Sequence, residues 1–147
     1  MKVPASDSYD TARTAAGFAS ALRPTLGHAT LVTLSGELGA GKTTFAQAVA
    51  KAFGVQETVT SPTFVIEKIY QLENQKFARL IHIDAYRLKS AQELDALGWR
   101  ELLADSGNLI MLEWPERVAE VMPEDAAKIS FEINGEERIL RLNGEIF

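Results

Sequence analysis

The stretch from Gly36 to Thr44, Gly-Glu-Leu-Gly-Ala-Gly-Lys-Thr-Thr, fits G-x-x-x-x-G-K-[ST] at every fixed position and constrains the fold more tightly than any other part of the chain. A phosphate-binding loop of this kind needs a strand feeding it and a helix leaving it. Thr30 to Ser35 is an apolar, β-branched run, and Thr44 to Phe53 places Phe45, Val49 and Phe53 at helical spacing, with Gly54 suited to close the helix. Gly36, Gly39 and Gly41 allow positive φ and close approach of the backbone to a polyphosphate, so that successive N–H groups form an anion nest over Gly39, Ala40, Gly41, Lys42, Thr43 and Thr44. The helix beginning near Lys42 adds its positive dipole end. Lys42 brings an ammonium to the β and γ phosphates, and the Thr43 hydroxyl is placed to ligate Mg²⁺.

Composition sets the surrounding limits. With 147 residues, 46% of them hydrophobic, the chain suits one domain spanning 1–147. It contains no cysteine, which removes disulfides, thiolate metal sites and cysteine nucleophiles. No apolar run approaches the roughly 20 residues of a membrane span, and Met1 to Asp10 has neither a basic nor an apolar region, so a cytoplasmic protein without membrane association is expected. The net charge of −5 is spread along the chain and disfavours direct nucleic-acid binding.

The remaining segments read as an α/β protein. Asp10 to Leu22 carries Ala15, Phe18, Ala19 and Leu22 on one helical face, with Asp10 or Thr11 as N-cap. Phe64 to Tyr70 and Phe77 to Ile83 are strands joined by a turn at Glu73-Asn74-Gln75, short enough to require antiparallel pairing. Ser90-Ala-Gln-Glu93 is a capping box for a helix to Leu97, which Gly98 separates from a further helical piece at Trp99 to Ala104. Leu109 to Leu112 reads as a central strand covered on both faces, and Pro115 opens a short helix to Val121. Lys128 to Ile133 and Glu136 to Leu142 flank Asn134-Gly135, a hairpin signature suited to a type I′ turn. The fold expected is P-loop NTPase-like, with a single central mixed sheet, flanking helices and a C-terminal β-hairpin.

The metal needs an acidic partner at the end of a neighbouring apolar strand, and two residues qualify: Asp84 after Leu80-Ile-His-Ile, and Glu113 after Leu109-Ile-Met-Leu. Either carboxylate alone reads most simply as a solvated strand-end residue; it is the pair beside a phosphate loop that points to the metal. Thr60 to Thr63 lies where a switch-like segment reaches a γ phosphate, although Ser-Pro is also an ordinary turn. His82 reads more simply as a packed or half-exposed strand residue, and Tyr86 and Trp114 as core or rim aromatics next to site positions.

Several blocks together carry a resemblance: Leu34 to Phe45, Ser61-Pro-Thr-Phe64, His82-Ile-Asp-Ala-Tyr-Arg-Leu88, Glu93-Leu-Asp-Ala-Leu-Gly98 and Glu113-Trp114. The chain resembles the TsaE family, formerly the YjeE ATPases, which take part in making threonylcarbamoyladenosine beside the anticodon of tRNAs that read ANN codons. The resemblance implies an ATPase using ATP/ADP and Mg²⁺, with Thr43 and Glu113 as metal ligands and Gly39 to Thr44 holding the phosphates. It implies that Lys42, Asp84 and Glu113 carry the hydrolysis, with Asp84 just outside the metal's ligands. Ser61 to Thr63 and the Asp84 region are implied to act as switches, Trp114 to matter for activity, and Thr11 to lie near the adenine ahead of the first helix. Its partners would be TsaD and TsaB homologues, with tRNA met only through the complex. Ser35 and Glu37 depart from the residues common in the family.

Two other readings stay open: a small-molecule P-loop kinase, and a non-catalytic nucleotide-dependent binding module. A kinase usually needs a basic mobile lid, and no arginine-rich insertion of that length occurs. A guanine-specific switch is disfavoured, because Asp95-Ala-Leu-Gly98 lies in a helical segment and no N-K-x-D occurs. Retention of both Asp84 and Glu113 argues for catalysis over simple binding.

Overall fold

The computed structural model describes residues 2–4, 8–37, 39–56 and 66–146. In chain order the elements are β1 (Lys2–Pro4), α1 (Ser8–Ala21), β2 (Thr30–Gly36), α2 (Lys42–Ala52), β3 (Glu67–Gln71), β4 (Arg79–Asp84) and a 3₁₀ turn (Ala85–Arg87). They continue as α3 (Ala91–Asp95), α4 (Trp99–Ala104), β5 (Asn108–Glu113), a kinked 3₁₀ segment (Pro115–Val121), β6 (Ala127–Asn134), β7 (Glu137–Leu142) and β8 (Glu145–Ile146). Among the described residues the strands form one sheet in the order β1-β7-β6-β2-β5-β4-β3, with β8 also on β7.

The middle of the sheet is parallel, since β2 pairs in parallel with β5 and β6, and β5 with β4. Both edges are antiparallel: β3 on β4, and β7 on β6, with β1 and β8 on the outer side of β7. The mixed architecture read from the sequence is the one observed. Alternate residues of the central strands feed two cores. Val32, Leu34, Leu109 and Met111 pack under α1 and α2 with Phe18, Phe45 and Val49, while Ile81, Ile83, Ile110 and Leu112 pack against Leu94, Trp99 and Val118. Every residue of β5 is buried. Such a strand has no solvent face to carry polar residues, which is why it reads as an unbroken apolar run.

Several local expectations change. The first helix starts at Ser8, ahead of Asp10, so Thr11 lies inside α1. Phe77 is buried at an edge-on 5.8 Å from Phe53 but precedes β4, whose strand starts at Arg79. Phe64 and Val65, expected in the third strand, lie outside the described residues. Ser90 is the N-cap of α3 without a side-chain cap bond; Glu93 instead accepts the N–H of Lys89 at 2.9 Å, so the box forms by half and shifts outward by one residue. In the hairpin, Asn134 pairs with Glu137, so the turn residues are Gly135 and Glu136. Only Gly135 has positive φ there, at 64°, the pattern of a type II′ turn and not type I′. Gly54 closes α2 as expected, its N–H reaching Lys51 and that of Val55 reaching Ala50, both at 3.0 Å.

Candidate active site

The parallel register brings the C-terminal ends of β2, β4 and β5 to one edge, the place where open α/β sheets hold ligands. Glu113 is level with Asp84 on one side and Leu34 on the other. The chain leaves β2 at Gly36, where a Cβ would stand 2.5 Å from the Phe131 carbonyl oxygen, so only glycine lets the loop start against β6. It enters α2 through Gly41 at φ 103°, a left-handed N-cap with no side-chain cap bond. The first N–H groups of α2 are therefore not taken up by a capping side chain, and they keep the helix dipole available for an anion.

Thr43, in the first turn of α2, donates its hydroxyl hydrogen to Glu113 at 2.9 Å to Oε1 and 3.1 Å to Oε2. Two hard oxygen donors thus converge beside the phosphate loop. That set fits Mg²⁺, which takes few protein ligands and completes its octahedron with water and phosphate oxygen. Among the described residues no cluster of three or more His, Asp or Glu that could hold a metal ion by itself occurs. Lys42 Nζ donates to the carbonyls of Gly36 and, at 3.0 Å, Glu37, and lies 4.0 Å from the centre of the Trp114 ring. Burial lowers the pKa of this ammonium, against the opposing pull of Glu113, Glu116 and Asp84.

Asp84 caps the turn after β4, accepting the N–H of Tyr86 at 3.0 Å. Burial raises its pKa and the Glu113 charge adds to this, while the Tyr86 N–H, His82 and Arg87 act the other way. Trp114 has left-handed backbone, φ 63° and ψ 54°, and donates its N–H to Leu34 at 3.1 Å. A non-glycine residue there costs on the order of 1 to 3 kcal/mol, and the reward is an indole laid across Lys42. Tyr86 packs against that indole with ring centres 4.9 Å apart and planes inclined at 52°, and the Arg117 guanidinium lies 5.1 Å from the Tyr86 ring.

These groups line a cavity of about 260 Å³ that contains Gly39, Gly41, Lys42, Thr43, Thr44, Asp84, Tyr86, Glu113, Trp114 and Arg138. Of the residues singled out from sequence, Ala40 has its side chain in the core at 1% exposure, and Thr11 is buried in α1 and is not among the residues that line the cavity. Ser61 and Thr63 lie outside the described residues. A larger cavity of about 320 Å³ at the opposite end of β2 holds the His28–Asp125 pair but neither a phosphate loop nor a lysine.

Two members of the site were given no role from the sequence. His82, read as a packed strand residue, is buried and joins Glu113 through Nε2 to Oε2 at 2.5 Å. Arg138, in the hairpin, reaches back over the loop: its Nη1 stands 2.9 Å from where a Cβ on Gly41 would be, and its Nε is buried without a hydrogen-bond partner. The alternation of β4 placed His82 on the same face as Asp84 and could have raised its interest. Nothing local distinguished Arg138.

Residues 6–140 match the family model described as threonylcarbamoyl adenosine biosynthesis protein TsaE. The chain belongs to the TsaE family. Relatives named tRNA threonylcarbamoyladenosine biosynthesis protein TsaE include that of Borreliella burgdorferi, 38% identical over 76% of this chain and 79% of the relative. That of Treponema pallidum is 34% identical over 90% of this chain and 92% of the relative. The crystal structure of Bacillus subtilis YdiB superposes with a TM-score of 0.70 at 28% identity, covering 94% of this chain and 80% of the other. The TsaE family membership expected from the motifs is thus shown, together with its P-loop NTPase-like fold and a place in tRNA threonylcarbamoyladenosine biosynthesis.

Proposed function

We propose that this member of the TsaE family is a Mg²⁺-dependent ATPase, weak alone and accelerated by TsaD and TsaB homologues during threonylcarbamoylation of adenosine 37 in tRNAs reading ANN codons. The observation that carries the reading is the bond between the Thr43 hydroxyl and the Glu113 carboxylate at 2.9 Å beside the Lys42 ammonium. These are the parts a phosphoryl-transfer site requires, since its protein contributes positioning and charge stabilisation more than covalent chemistry.

In this scheme the backbone of Gly39 to Thr44 orients the phosphates, and Lys42 leaves the loop carbonyls to neutralise β and γ oxygens. Mg²⁺, when bound through Thr43 and Glu113, would supply Lewis-acid stabilisation of phosphate charge. Asp84, whose raised pKa makes it a better proton acceptor than a solvated aspartate, takes the proton of the attacking water or orients it. Arg138 offers a cation from within the chain, and its buried, unpaired Nε has a hydrogen left to donate to an acceptor such as a phosphate oxygen. Ser61 and Thr63 complete the proposal as switch residues, Thr11 as the adenine neighbour and Trp114 as the nucleotide-sensitive lid on Lys42. Tyr86 and Arg117 extend that packing from Trp114 toward the surface, where a docked partner can press on it. The negative charge leaves tRNA to be met through the complex.

The test is ATP turnover by the isolated chain and again with the TsaD–TsaB pair and tRNA. Turnover should be slow in the first case, rise strongly in the second, and vanish in Lys42→Ala in both. Fast turnover indifferent to the partners would overturn the reading in favour of an autonomous kinase or hydrolase.

A further inference from the structure

Glu113 ends a strand by a side chain with three rotatable bonds, yet a Mg²⁺ ligand must present its oxygen at about 2.0 to 2.1 Å in near-octahedral geometry. The structure shows what holds it. His82 and Glu113 side chains are each 3% exposed, and their 2.5 Å contact runs diagonally from His82, two residues before the end of β4, to Glu113 at the end of β5. An ionised carboxylate can only accept, so Nε2 donates to Oε2. The Thr43 hydroxyl has a single hydrogen shared between both carboxylate oxygens, and that interaction must rearrange when the hydroxyl turns a lone pair to a metal. The imidazole contact comes from β4, the strand paired beside β5, and does not depend on the Thr43 hydroxyl hydrogen.

We propose that His82 is a positioning residue for the metal: by fixing Glu113 Oε2 it leaves Oε1 aimed at the space shared with Thr43, so that the carboxylate meets Mg²⁺ without reorganising. This rests on the reading of the site as a Mg²⁺–nucleotide centre. The competing role is simple filling of buried space, which an apolar side chain of similar volume would perform as well. Partners that orient a ligand are typically worth roughly 10- to 100-fold in metal affinity, whereas filling is worth nothing specific to metal.

The experiment titrates Mg²⁺ into the full chain saturated with a non-hydrolysable ATP analogue, and repeats the titration with Mn²⁺ followed by electron paramagnetic resonance. His82→Gln puts an amide N–H near the Nε2 position, His82→Asn falls short of it, and His82→Leu removes it. Metal affinity should fall roughly 10-fold or more in the Leu and Asn variants and stay within about threefold of wild type in Gln, with metal-free nucleotide affinity unchanged in all. Should the Leu variant fail to fold, the Gln and Asn pair decides alone. Wild-type metal affinity in Asn or Leu, or a loss in Gln as deep as theirs, overturns the proposal. If wild type itself binds nucleotide with no dependence on Mg²⁺, the metal reading of the site falls first and takes this role with it.

Discussion

The sheet is built differently on the two sides of β2. Toward β5 and β4 the strands are parallel, covered on both faces, and end in Glu113 and Asp84. Toward β6 and β7 they form an antiparallel hairpin in which Ile129, Phe131 and Leu140 join the core, while residues 132–137 are exposed. The covered half holds the carboxylates on strand ends that cannot shift without opening two cores. The hairpin half contributes one guanidinium to the cavity, Arg138, from a strand whose turn end is exposed. Rigid placement of the acidic groups and adjustable placement of a cation is the division this suggests.

The largest expected effect tests the rigidity directly. Ile110 is fully buried in β5, so Ile110→Ala should cost about 2 to 5 kcal/mol in denaturant unfolding. Ile133, 48% exposed near the hairpin turn, should lose no more than about 0.5 kcal/mol on the same change. Comparable losses at the two positions would erase the contrast.

A smaller effect concerns what the hairpin gives to the site. Arg138→Met keeps most of the aliphatic stem and removes a donor that, with a charged partner, is worth about 1.5 to 3 kcal/mol, so ATP affinity should drop roughly tenfold or more with little change in melting temperature. Adenosine binding should hardly respond. An equal loss for adenosine would move Arg138 from the phosphates to the base or ribose and sharpen the division differently.

Legibility followed the same line through the molecule. The phosphate loop was readable because its residue types and spacing are contiguous in the chain, as with Gly41, whose left-handed φ at the start of α2 is a requirement of the loop itself. β5 was readable because burial on both faces leaves only apolar residues between Asn108 and Glu113. The turn register of the hairpin was not, since Asn134-Gly135 and Gly135-Glu136 both suit two-residue turns and only cross-strand pairing of Asn134 with Glu137 decides. His82 and Arg138 were missed for a related reason. Each gains its meaning from a residue on another element, Glu113 in one case and Gly41 in the other, and by itself a strand histidine or a hairpin arginine looks like an ordinary member of its strand.

The smallest expected effect asks whether the covered half stores strain for function. Asp84 has a folded-state pKa raised above its ordinary value, chiefly by burial. For such a group the favourable contribution to folding is present when the carboxyl is protonated in both states, below the unfolded value, and is lost as pH rises through the folded value. At neutral pH the ionised side chain therefore works against folding. Asp84→Asn keeps an oxygen to accept the Tyr86 N–H and removes the charge, so without nucleotide or metal the variant should melt slightly higher than wild type at pH 7. That advantage should shrink steadily on acidification, as protonation relieves wild type of the same cost. Turnover should move the opposite way and fall, because an amide accepts no proton. An Asn variant that is less stable at pH 7, or whose advantage grows toward low pH, would mean that Asp84 stabilises its strand end and that the covered half carries no stored cost at this position.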